Sequence, residues 1–165
     1  MTDCGFSHEF AYPQTLTIHA SAFMNSFDLQ PLDRKSLLNQ IHATIPLPTR
    51  EENCADGSLV FVGGDHGEVV VRVMADQITV SVFATEIETS GSLGVRPQQI
   101  VTLNWKIIPA AKMTLLLRDL IETAQQLRRA QFRKCRRCNE TKPPEWMYDA
   151  ELCEGCVDSE VASGR

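Results

Sequence analysis

Cys135, Cys138, Cys153 and Cys156 form two C-x-x-C pairs separated by 14 residues, and no other feature restricts the fold of this chain as tightly. Two sulfurs at this spacing can turn inward on one tight knuckle. Two knuckles together present four soft donors, the tetrahedral set that zinc prefers. A single pair would stay ambiguous with redox chemistry; two pairs point to a metal. Asn139 follows the second cysteine, where a knuckle needs a residue that tolerates positive φ, and Gly155 relaxes the second turn. Between the pairs, Trp146, Met147 and Tyr148 offer a miniature core. So short a segment has too little apolar surface to fold alone, so metal binding must supply much of its folding free energy. The expected cofactor is one structural Zn2+. Four thiolates close its coordination sphere, whereas a catalytic zinc keeps an open position.

The run C-x2-C-x3-K-P-x2-W, closing on C-x2-C, resembles the treble-clef or zinc-ribbon type of Cys4 zinc knuckle, including the version that braces some HNH-type endonucleases. The resemblance rests on Cys135, Cys138, Lys142, Pro143, Trp146, Cys153 and Cys156. It covers residues 135–156 and extends to no part of residues 1–134. HNH-type catalysis would need histidines within the clef, yet His8, His19, His42 and His66 all lie in the first 66 residues. The resemblance therefore implies a structural zinc and no nuclease.

The preceding residues read as a globular domain. "TLTIHA" (15–20) alternates as a short strand, and "PLDRKSLLNQIHATI" places Leu37, Leu38 and Ile41 on one face of a helix over about 31–43. Pro31 suits its first turn, and Asp33 suits the positive end of its dipole. Residues 45–57 read as a loop. From 58 onward the period changes to two: "SLVFVGG", a "GGDHG" turn, "EVVVRVMA" and "QITVSVFATEI", then the loop "TSGSLGVRPQQ" and the strand "IVTLNWKII" (100–108). Short connections favour an antiparallel meander with one wet face. In the next segment Met113, Leu117, Leu120, Ala124 and Leu127 recur at steps of 4, 3, 4 and 3, a stripe that suits a helix over about 111–134 packed on that sheet. The expected fold is α+β: an antiparallel sheet of about four or five strands covered by a long helix, in a domain over 1–134, followed by a zinc-knuckle tail over 135–165.

Charge adds one more element. Residues 112–138 carry a net +6, between −6 over residues 1–111 and −5 over residues 139–165. Within this belt, "RRAQFRKCRR" (128–137) holds six basic residues in ten. Arg128, Arg129, Arg133, Lys134, Arg136 and Arg137, with Lys142 and Trp146, are the candidates for contact with a nucleic acid or another partner. The same cations also complement a helix C-terminus and the negative charge of a zinc–tetrathiolate centre. Cys4 and Cys54 have no partner at ligand spacing and read as free thiols.

No run approaches the roughly 18 apolar residues a membrane span needs, and no basic-then-apolar signal opens the chain. The expectation is a cytoplasmic protein without a membrane partner. With no phosphate-cradling loop, nucleophile elbow or trusted carboxylate pair, the favoured function is non-enzymatic: an interaction or regulatory protein whose zinc knuckle presents a protein-binding surface. One alternative is a nucleic-acid-binding regulator that contacts phosphates through 128–142; the other is an enzyme with its site in the N-terminal domain. A homodimer through the 113–127 stripe or a free sheet edge is open to all three.

Overall fold

Alternating Val, Ile and Phe between Leu59 and Val82 force a sheet, because period-two apolar residues put one hydrophobic face on every strand. The computed structural model describes residues 32–87 and 93–163. It shows α1 (Arg34–Thr44), then β1 (Thr49–Asn53), β2 (Leu59–Gly63), β3 (Val69–Val73), β4 (Gln77–Ile87) and β5 (Leu93–Asn104), followed by α2 (Ala110–Arg129). The five strands form one antiparallel meander in sequence order. The fold is α+β, as the sequence patterns require. The "TLTIHA" strand and Pro31 lie outside the described residues.

One face of the sheet is covered by both helices. Phe61, Val71, Ile78 and Val80 from the strands meet Leu37 and Ile41 of α1 and Met113, Leu117, Ile121 and Ala124 of α2 in a single buried cluster. Asp33 caps α1 by accepting hydrogen bonds from the Ser36 amide (3.0 Å) and hydroxyl (2.5 Å); these bonds hold its carboxyl below the usual range. Trp105 closes the cluster at the end of β5.

Several boundaries differ from the sequence reading, each for a local reason. The expected loop 45–57 contains β1, whose "TREEN" shows no apolar alternation because, among the described residues, it is an edge strand paired with β2, from Thr49 with Gly63 to Asn53 with Leu59. Gly63 is needed at that pairing, since a Cβ there would meet the Pro46 carbonyl oxygen at 2.7 Å. β5 begins at Leu93, inside the expected loop. It accepts Pro97 because it too lies at the sheet edge. It ends at Asn104, whose side-chain oxygen accepts the Lys106 amide and turns the chain, so Ile107 is left 78% exposed. The far face of the sheet is not uniformly wet: Val60 and Val70 are buried there with Cys54. Cys54 is disulfide-bonded rather than free.

The α2 stripe also shifts. Its buried positions are Met113, Leu117, Ile121, Ala124 and Arg128, at steps of 4, 4, 3 and 4. Leu120 is partly buried and Leu127 is 48% exposed. The helix stops at Arg129, not 134, because residues 133–134 are taken up as a strand of the cysteine module. Replacing Ile121 by Ala should destabilise the protein by about 2–5 kcal/mol. Leu127→Ala should cost below about 1 kcal/mol. Urea unfolding of the two variants compares a buried position with one that the heptad-like pattern alone would have favoured.

Candidate metal centre

The cysteine module starts where α2 ends. β6 (Arg133–Lys134) and β7 (Thr141–Lys142) pair antiparallel, Arg133 with Lys142 and Lys134 with Thr141. The knuckle between them carries Cys135 and Cys138. A 3-10 turn (Pro144–Trp146) and a short bridge between Met147 and Cys153 follow, and then α3 (Glu154–Ser163). Cys153 immediately precedes α3 and Cys156 lies in its first turn. The second pair is thus presented by the start of a helix, an element the sequence reading did not place.

Backbone hydrogen bonds fix the knuckle. The Asn139 amide donates to the Cys135 carbonyl at 2.9 Å, and the Cys135 amide donates to the Glu140 carbonyl at 2.9 Å. Closing this turn requires φ +60 at Asn139, as the sequence predicted for that position. The facing loop is tied by Asp149, whose carboxylate accepts the amides of Glu151 (2.7 Å) and Leu152 (2.8 Å) and is held below its usual range by them. The Arg136 amide then donates to the Glu151 carbonyl at 2.8 Å, joining the two halves of the module.

These constraints bring the four sulfurs together. All lie within 4.8 Å of one another, with Cys135 to Cys156 at 3.8 Å and Cys138 to Cys153 at 3.9 Å. A disulfide would need about 2.05 Å, so neither pair is bridged, and all four are free thiols. Cys135 and Cys153 are buried, Cys156 is half-buried and Cys138 is exposed. Backbone amides of Cys138 and Cys153 directed at the Cys135 sulfur pull its thiol down to about 6. The hydrogen bond with Cys153, together with burial, pushes Cys156 up to about 12. Four converging sulfurs, one already favouring the thiolate, could hold a metal ion.

The module's own core is small: Cys135, Met147 and Cys153, with Leu152 and Cys156 partly buried. Of Trp146, Met147 and Tyr148, expected as the miniature core, Met147 joins it. Trp146 is 45% exposed and Tyr148 68%. Trp146 meets the edge of the His66 ring at 4.5 Å between centres, so part of its apolar surface is spent against the β2–β3 turn.

The structure disperses the basic belt. Arg128, a candidate for outside contact, is fully buried. It lies on the sheet-facing stripe of α2, donating to the Phe83 carbonyl and the Gln131 side chain, each at 3.1 Å, and pairing with Glu145. It is therefore withdrawn from any external partner. Arg129 pairs with buried Glu68 at 2.8 Å. Arg136 pairs with Glu151 at 2.9 Å and Lys142 with Glu140 at 2.7 Å, and Arg137 donates to the Cys156 carbonyl at 2.7 Å. Arg133 and Lys134 are exposed on β6. Glu145 and Glu68, which neutralise the two helix-end arginines, were not singled out by sequence, since neither sits at a spacing that marks an ion pair.

Among the described residues no helix is long and apolar enough to cross a membrane. No family model, no curated protein and no solved structure matches the chain. At Asn139, replacement by Gly should leave metal affinity unchanged within about twofold, whereas Ala, strained at positive φ by about 1–2 kcal/mol, should weaken it on the order of tenfold. A competition titration against a chromophoric chelator measures both.

Proposed function

We propose that this chain is a non-enzymatic zinc-binding interaction protein in which the metal has a structural role and the knuckle offers a surface to another protein. The sulfur geometry carries the reading. Sulfurs about 2.3 Å from a tetrahedral zinc stand about 3.8 Å apart, and the two close pairs here lie at 3.8 and 3.9 Å. Cys135, Cys138, Cys153 and Cys156 would hold the ion. Zinc with four thiolates keeps no coordination position for a substrate, so its chemistry is to fix the turn and the start of α3.

Two half-exposed or exposed aromatics, Trp146 and Tyr148, stand on the module's surface. Rings of this kind, fixed by a rigid hook, are the residues that dominate binding at protein interfaces. Phosphate contact through 128–142 has less support, because Arg128, Arg129, Arg136 and Lys142 already face carboxylates within the chain. A partner that reads the rings binds with little dependence on salt. Nucleic acid held by Arg133 and Lys134 would instead dissociate steeply as salt rises.

Purified under reducing conditions, the protein should carry one zinc per chain by native mass spectrometry. A thiol reagent should find Cys135, Cys138, Cys153 and Cys156 protected until a chelator is added. Because thiolates and not thiols bind the metal, affinity should fall as pH drops from about 8 to about 6, with proton release on zinc uptake that calorimetry in two buffers detects. Four reactive thiols in the native protein with no bound metal would overturn the proposal.

A further inference from the structure

We propose that Arg128 couples metal occupancy in the cysteine module to the integrity of the sheet domain, so that metal loss is transmitted into α2 and β4. This inference rests on the zinc-binding reading above and concerns what the metal controls beyond its own knuckle.

Arg128 projects from the last turn of α2 and is completely buried. One nitrogen donates to the Phe83 carbonyl of β4 and to Gln131, and another meets Glu145 in the 3-10 turn of the cysteine module. Its guanidinium also lies 5.4 Å from the centre of the Phe132 ring. Among the described residues Glu145 is the carboxylate that Arg128 meets, and it stands in the Pro144–Trp146 turn between the two cysteine pairs. Arg128 Nε and Glu145 Oε2 are buried with no hydrogen-bond partner among the described residues. The pair is thus held by one contact and by the docking of the module, with no spare bonds to retain it.

A module with so small a core should lose its fold when the metal leaves. Glu145 then departs and a buried cation is left with neutral acceptors, the situation in which removing one partner of a buried pair is most destabilising. The freed guanidinium is then drawn toward water, which loosens the end of α2 and its bond to the Phe83 carbonyl on β4. Arg129 and Gln125, one and three positions away on α2, both bond Glu68 beside the β2–β3 turn, and His66 in that turn packs on Trp146. The disturbance therefore has a continuous physical route along the end of α2 into the sheet.

Hydrogen exchange on the full chain, with zinc bound and after removal by chelator, tests this. In the wild type, chelation should speed exchange at Val82–Ala84 and Ala124–Arg129 by on the order of tenfold or more. In Arg128→Met, zinc should still bind at one per chain and its removal should unfold the module, yet those two segments should keep their protection. In Glu145→Gln, they should already exchange faster with zinc bound, and chelation should add less. If wild-type zinc is lost without any change at 82–84 and 124–129, or if chelation affects all three proteins equally, the coupling is overturned while the zinc reading stands. A wild type that takes up no zinc overturns both.

Discussion

Convergence of four cysteine sulfurs within 4.8 Å is the constraint on which the C-terminal module of this structure depends. Thiolates this close repel one another and, apart from a cation, have little to keep them together, while Met147 and Leu152 add only a few apolar contacts. The proposed zinc resolves both difficulties. It would offset half of the thiolate charge, and it would stand in for the hydrophobic core that so short a module cannot build. The hairpin β6–β7, the left-handed Asn139 and the start of α3 are the elements that such a coordination sphere would lock together.

The end of α2 is where this module joins the rest of the molecule. Neighbouring arginines there face opposite ways: Arg129 returns to Glu68 beside the β2–β3 turn, and Arg128 reaches Glu145 in the module. Burying Arg128 next to a carboxylate and a carbonyl is costlier than an apolar contact would be. Its compensating charge comes from Glu145 in the Pro144–Trp146 turn. His66 against Trp146 meets the same turn from the sheet side. The tail is therefore a docked part of the fold.

What could be read from sequence divides along the range of the interactions involved. The cysteine spacing, the Asn139 turn and the strands from Leu59 to Ile87 are set by neighbours a few residues apart, and the patterns showed them. β1 did not show, because an edge strand of charged residues has no alternating apolar face, and its pairing with Gly63 is a tertiary fact. The last turn of α2 was misread for a related reason. Leu127 continues the apolar pattern but faces solvent, while charged Arg128 takes the buried position. Its partners stand 17 and 45 residues away, so a belt whose Arg129, Arg133, Lys134, Arg136 and Arg137 lie at the surface gave no sign that Arg128 does not. Exposure of Trp146 and Tyr148 likewise depends on how the module docks, which composition does not encode.

X-ray absorption at the zinc edge on the purified, reduced protein tests the central claim most directly. Four sulfurs at about 2.3 Å, with no nitrogen or oxygen neighbour, are the expected result. A shell containing light atoms, fewer than four sulfurs, or no zinc signal at all would contradict it.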